Sequence, residues 1–231
     1  MPRAHTPWAG LLIVGAVRGE PVTGDKVDRI YNSLEVLDGA GQIIGAADKA
    51  HLVPLGEFVP LRRYLPFISK LTPGDVDFTP ALGPQTVHVP GLPPFGSLIC
   101  YDVIFPGNVA DHANPPDWLL TITNDGWFGT STGPHQHFAS ARFRAVEEGI
   151  PLIRAANTGI TAAVDAYGRV VASLPMGAVA TLDVDLPEKL QSPPVFTRFG
   201  VLGFLLLSLA LGVGGYALTY WRDNRNLLVS Q

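Results

Sequence analysis

The chain has 231 residues and a mass of 24.7 kDa, enough for one domain of about 150 to 200 residues with a full core. Its net charge is −4 and only 16% of residues are charged, against about 25% in a typical soluble domain, so nothing supports a nucleic-acid partner. The single cysteine, Cys100, excludes an intrachain disulfide and a cysteine-rich zinc site, and leaves the redox compartment unread.

In chain order, residues 1–10 have no apolar core and the apolar run 11–17 is too short for a signal peptide. That run reads as a buried strand. Residues 18–28, polar with Gly and Pro, are expected to loop. Residues 31–38 alternate as a strand, Gly39-Ala40-Gly41 turns it, and residues 42–45 return as a hairpin. Residues 49–60 carry two prolines and a glycine and read as an ordered loop. A short helix is expected over 62–71, stopped by Pro73-Gly74. Short strands follow over 86–89 and 95–100. A helix is expected over 106–114 and a strand over 117–123, with a turn at Asn124-Asp125-Gly126-Trp127-Phe128-Gly129.

The strongest soluble helix spans 135–148, with Phe138, Ala141, Arg142, Ala145 and Glu148 at helical spacing and Gly149 as its stop. Strands are expected over 152–156, 160–164, 170–174 and 178–184, with a hairpin turn at 165–169, then a linker over 187–194. Mixed strands and helices imply an α/β or α+β layered domain. Mean hydropathy is +0.23, and the excess is concentrated at one end. Residues 199–221 hold no charge; as a helix they extend about 34 Å at roughly 1.5 Å per residue, enough to cross a hydrocarbon core. Tyr216, Tyr220 and Trp221 form an aromatic end. Arg222 and Arg225 follow it, against Arg198 alone before it, which puts the tail on the cytoplasmic side.

Cys100 ends a short apolar run and precedes Tyr101-Asp102. A lone cysteine is either a small buried hydrophobe or a nucleophile, and a nucleophilic thiol needs a base or a nearby cation. Lys49 can serve as that cation and as an oxyanion donor, or lie on the surface. Glu57 is eight residues on, and His51, His135 and His137 offer a Cys–His alternative. Spacing alone does not choose among them.

Four motifs in order resemble the nitrilase superfamily and, within it, the bacterial apolipoprotein N-acyltransferases. They are Lys49-Ala50-His51-Leu52-Val53-Pro54-Leu55-Gly56-Glu57-Phe58-Val59-Pro60, Ile99-Cys100-Tyr101-Asp102 with Phe105-Pro106, Thr123-Asn124-Asp125-Gly126-Trp127-Phe128-Gly129, and Asn157-Thr158-Gly159. The resemblance implies a four-layer αββα sandwich over residues 1–190, incomplete at its N-terminus. A linker (191–198), one transmembrane helix (199–221) and a cytoplasmic tail (222–231) follow.

It also implies acyl transfer in the bacterial inner membrane, with the domain on the periplasmic side. An acyl chain passes from a membrane phospholipid through a Cys100 thioester to the N-terminal amine of a diacylglyceryl-cysteine apolipoprotein, with no metal or cofactor. Lys49 would stabilise the oxyanion and Glu57 would be the second essential glutamate. Tyr101 and Asp102 follow the nucleophile, Asp102 standing where the family has glutamate, and Trp127 and Phe128 would line the acyl chain.

The family's general-base glutamate lies well over fifty residues before the lysine. Only 48 residues precede Lys49, and Glu20 and Glu35 are too close to replace it. The resemblance therefore implies the C-terminal portion of an acyltransferase, inactive as an isolated fragment, with the strand over 11–17 left as an unpaired edge. The alternatives are an inactive membrane-anchored binding module or remnant, and an amidase-type hydrolase.

Overall fold

The computed structural model describes residues 10–23, 26–64, 67–72 and 76–229. Two sheets dictate its architecture. The first is an antiparallel meander of β1 (Leu12–Thr23), β2 (Lys26–Leu37) and β3 (Ile43–Asp48). The second has six strands in sequence order: β4 (Gln85–Val87), β5 (Phe95–Ile99), β6 (Trp118–Asn124), β7 (Leu152–Asn157), β8 (Thr161–Val164) and β9 (Val170–Leu174). Within it β5, β6 and β7 run parallel, and the outer pairings are antiparallel.

The sheets pack face to face. Leu34, Val36 and Ala47 of the first meet Val87, Phe95, Ile99, Trp118 and Leu120 of the second. Helix α1 (Gly133–Glu148) covers the other face of the second sheet, where Ala141 and Ala145 pack on Leu98, Leu119, Leu152 and Val164. These are three layers of the expected sandwich, β, β and α. Strand β5 and the first half of β6 are buried on both faces and are mainly apolar for that reason.

Several expectations are corrected. Residues 18–23 and 26–28 are strand, not loop. Arg18 is absorbed across the hairpin and its neighbour, stacking over the Tyr31 ring at 4.4 Å and pairing with Asp48 at 2.7 Å. Pro21 is tolerated because β1 is the edge strand, and the register shifts beside it. No helix forms in the described part of 62–71; Leu61 has φ 54°, and the segment is stitched back by Leu71 N–H donating to Leu55 O at 2.7 Å. The expected Pro73-Gly74 stop lies outside the described residues.

Residues 106–114 form turns rather than a helix. The Asp111 side chain accepts the Ala113 N–H at 2.9 Å, a local bond that competes with helix, while Val109 and Ala110 are buried as anchors. Residues 178–184 are irregular, since β9 pairs only with β8 and no further ladder forms. Helix α1 buries His137 and Arg144 along with Ala141, Ala145 and Glu148, while Arg142 is exposed.

The expected apolar helix lies inside α2 (Val195–Val229), which breaks its helical geometry at Gly200. Its segment Val195–Trp221 has mean hydropathy 2.1 and no buried share. The start of α2 is fastened to α1: Thr197 Oγ1 donates to Glu147 O at 2.9 Å, and Leu190 N–H donates to Gly149 O at 2.9 Å.

Gly149 ends α1 in the left-handed conformation, φ 68°, and a Cβ there would lie 2.6 Å from Pro194 Cδ. Gly149→Ala is therefore expected to cost about 1–3 kcal/mol through backbone strain and that contact. Urea unfolding followed by tryptophan fluorescence checks this, and an unchanged midpoint refutes it.

Candidate active site

The parallel strands β5, β6 and β7 end side by side, with Ile99 opposite Ile122 and Asn124 opposite Asn157. Carboxyl ends of parallel strands are where α/β sheets place ligands. Here they deliver Cys100, Asp125 and the Asn157-Thr158-Gly159 turn. Cys100 is not the last strand residue but the first of a 3-10 turn, Cys100–Ile104. Its φ is 52°, a left-handed conformation that costs a non-glycine residue about 1–3 kcal/mol unless its surroundings enforce it. It is partly exposed.

Asp102 enforces that turn from within. Its Oδ2 accepts the Ile99 N–H at 2.9 Å, and its Oδ1 accepts the His51 N–H at 2.7 Å and faces His51 Nδ1 at 3.2 Å. Asn108 Nδ2 lies 2.7 Å from His51 Nε2, so the partners place the ring proton on Nδ1. Phe105 stacks on the same ring at 4.1 Å, and Tyr101 meets Phe105 edge-on at 5.1 Å. Burial pushes the Asp102 carboxyl above its ordinary value, against the opposing hydrogen bonds from Ile99 and His51 and the charge of Lys49.

Asp102 thereby ties the loop over 49–60 to the Cys100 turn. At its start Lys49, only 2% exposed, donates to both carboxylate oxygens of Glu57 at 2.9 and 2.8 Å. Glu57 also accepts Asn32 Nδ2 and the Val53 N–H, each at 2.8 Å. The lysine is thus neither a surface residue nor a free one. Trp127 is 71% exposed, and Phe128 is partly exposed with its ring 5.6 Å from that of His137. Of the histidines weighed, His137 is buried beside the Cys100 backbone, His51 serves Asp102, and His135 is exposed.

Beneath the turn lies a group of which sequence reasoning named only His137, as a possible thiol partner. Asp125, fully buried, accepts from Arg154 Nη2 at 2.7 Å and from Thr123 Oγ1 at 3.1 Å, and lies 3.0 Å from His137 Nδ1. Arg154 is hidden in sequence because it interrupts an apolar strand; that interruption was the available signal, since a buried charge demands a partner. Gly159 explains its motif: a Cβ there would lie 2.1 Å from Asp125 Oδ2. Burial alone would raise the Asp125 carboxyl, but the His137 hydrogen bond and the Arg154 charge hold it below the ordinary range.

With this geometry in place, the comparisons assign the class. The family model described as Carbon-nitrogen hydrolase matches residues 4–192, and the chain belongs to that family. More particularly, it is 43% identical over 199 residues to an apolipoprotein N-acyltransferase of Rhodopseudomonas palustris, covering 85% of this chain and 37% of that protein. It is also 43% identical over 209 residues to an apolipoprotein N-acyltransferase of Bradyrhizobium diazoefficiens, covering 89% of this chain and 39% of that protein. The chain therefore spans well under half the length of these curated relatives. Among solved structures, an amidase from Nesterenkonia sp. aligns with TM-score 0.50 and 19% identity over 73% of this chain and 58% of that chain, a likeness of fold alone.

Because the folded Asp125 carboxyl is held low, its stabilising contribution is present above the ordinary carboxylate range and is lost as pH falls through the lower folded value. Asp125→Asn leaves Arg154 buried and unpaired, a cost of about 3 kcal/mol near neutral pH. The gap to wild type should close below about pH 4, near the ordinary carboxylate value. Urea unfolding across a pH series checks this; a gap independent of pH would overturn it.

Proposed function

We propose that this chain is the nucleophile-bearing part of an apolipoprotein N-acyltransferase, moving an acyl chain through a thioester on Cys100. The observation that carries the reading is the strained Cys100 turn at the ends of the parallel strands. Asp102 ties that turn to the loop that buries the Lys49–Glu57 pair. A lone structural cysteine would not need this enforced backbone. The 43% identity to the two acyltransferases supports the same choice.

The chemistry runs in two halves. The Cys100 thiolate attacks the ester carbonyl of a membrane phospholipid, and Lys49 Nζ stabilises the oxyanion that forms. The tetrahedral centre collapses, the lysophospholipid alkoxide leaves with a proton, and the acyl group stays on sulfur. The α-amine of a diacylglyceryl-cysteine apolipoprotein then attacks the thioester; an amide forms, the amine loses a proton and the thiol is restored.

Glu57 orients Lys49 through both carboxylate oxygens. Asp102 holds the turn, and Tyr101 packs beside it. Trp127 and Phe128 flank the site at the rim and meet the acyl chain. Asp102, Asp125 and Glu57 are each engaged by the partners described above, so this reading takes the family's general-base glutamate from outside these residues, and the chain by itself turns over poorly.

The reading divides the chain into a catalytic domain (1–190), a linker (191–198), a membrane-spanning helix (199–221) and a tail (222–231). The apolar composition of α2 and its exposed side chains support the span. With Arg222 and Arg225 after the span and Arg198 before it, the tail is cytoplasmic and the domain faces the periplasm.

The test replaces the aligned segment of the Rhodopseudomonas palustris relative with the matching segment of this chain and supplies phospholipid carrying a labelled acyl chain. A hydroxylamine-sensitive label on Cys100 that passes to a diacylglyceryl peptide is expected. Cys100→Ala should abolish it, and Lys49→Met should slow its formation by about a hundredfold, the usual loss for one oxyanion donor. A folded chimera that is never acylated would sink the reading in favour of a binding module, and hydrolysis of small amides without transfer would favour an amidase.

A further inference from the structure

The buried unit beneath the Cys100 turn is not used by the chemistry above. Asp125 comes from the turn after β6, His137 from α1 and Arg154 from β7, and each is at least nine-tenths buried. Their contacts lead toward the nucleophile. Arg154 Nη2 donates to Asp125 Oδ2 at 2.7 Å, and its Nε donates to Ile160 O at 3.2 Å. His137 Nδ1 sits 3.0 Å from Asp125 Oδ1 and 3.1 Å from Arg154 Nη2. His137 Nε2 then lies 3.1 Å from the carbonyl oxygen of Cys100.

Burying three polar groups is costly unless each finds partners, and an apolar core would fill the same space. What this unit adds is a hold on Cys100, one of the left-handed non-glycine residues around the site together with Leu55 and Thr158. Asp102 takes the Ile99 N–H ahead of the turn, and His137 takes the Cys100 carbonyl within it. A left-handed non-glycine residue persists only when its surroundings over-determine it, and these two bonds do so.

We propose that Asp125, His137 and Arg154 form a positioning unit that fixes the Cys100 backbone, and so the direction of its thiol, through the His137 Nε2–H bond to the Cys100 carbonyl. The inference rests on the reading of Cys100 as the nucleophile.

The proton placement follows from the partners. A carbonyl only accepts, so Nε2 carries a hydrogen. Nδ1 faces both a carboxylate and a guanidinium. Unprotonated, it accepts from Arg154; protonated, it donates to Asp125. Both arrangements keep the hydrogen on Nε2, where the Cys100 carbonyl accepts it. Burial pulls the Arg154 guanidinium below its usual value, and the charge and hydrogen bond of Asp125 work against that.

Cys100 is the only cysteine, so cysteine labelled with carbon-13 at its carbonyl gives one resonance, and iodoacetamide has one target. Both are measured on the full chain in detergent micelles, with circular dichroism as the check on folding. His137→Leu should move the carbonyl resonance and slow alkylation by about tenfold, the population cost of one net hydrogen bond. His137→Gln, which keeps an N–H donor near the Nε2 position, should restore both toward wild type. A structural role alone would leave Gln no better than Leu, and that result, or a Leu variant identical to wild type in both readouts, overturns the proposal.

If the Leu variant does not fold, wild-type protein with nitrogen-15 histidine decides. His137 Nε2 should carry a proton and couple to the Cys100 carbonyl carbon. An Nε2 that carries no proton, or shows no coupling, overturns the proposal. No readout here involves lipid, so a thiol shown to be positioned but unable to form a thioester sinks the acyl-transfer reading alone.

Discussion

The conformation of one residue governs the arrangement of the site. Cys100 sits with φ 52° at the point where β5 stops, a geometry its own side chain disfavours. The surroundings supply the constraint through two carboxylates. Asp102 works from inside the turn, bonding the Ile99 N–H behind it and the His51 N–H across from it. Asp125 works from below, through the His137 ring and the Arg154 guanidinium. Asp102 reaches the Ile99 N–H because that partner lies only three residues back, at the end of β5.

These carboxylates also explain why so much charge is buried in a chain with so little of it. Lys49 with Glu57 and Asp125 with Arg154 are pairs taken out of water, where attraction roughly offsets the loss of hydration. Their value lies in direction more than in net stability. The Lys49 ammonium is aimed by two oxygens of Glu57, which is itself steadied by Asn32 and Val53. A lysine held in this way is pre-organised, and a site in which charge develops gains most from groups that need not reorient.

Helix α1 joins the Cys100 turn to the start of the apolar helix. Its early turns carry His137 to the Cys100 carbonyl. Its middle packs Ala141 and Ala145 on the sheet. Its last turn receives Thr197, and Gly149 beyond it meets Pro194, at the entry to the apolar helix α2. The Cys100 turn and the apolar helix are therefore fastened to the same rigid element, a few turns apart.

The strands over 11–17, 31–38, 95–99 and 152–156, the helix over 135–148 and its Gly149 stop were legible because local periodicity and chain punctuation determine them. The motifs named Cys100, Lys49, Glu57 and Asp102 as candidates, and the fold brings Asp102 to the loop that holds Lys49 and Glu57. What sequence could not decide was pairing. Residues 18–23 form strand because Arg18 finds Tyr31 and Asp48, whereas residues 178–184 do not because no ladder meets them. Arg154 and Asp125, twenty-nine positions apart, become partners only when parallel β6 and β7 end together. Periodicity is a property of neighbours along the chain. The proximity of buried charges depends on the whole fold, and only tertiary structure determined it.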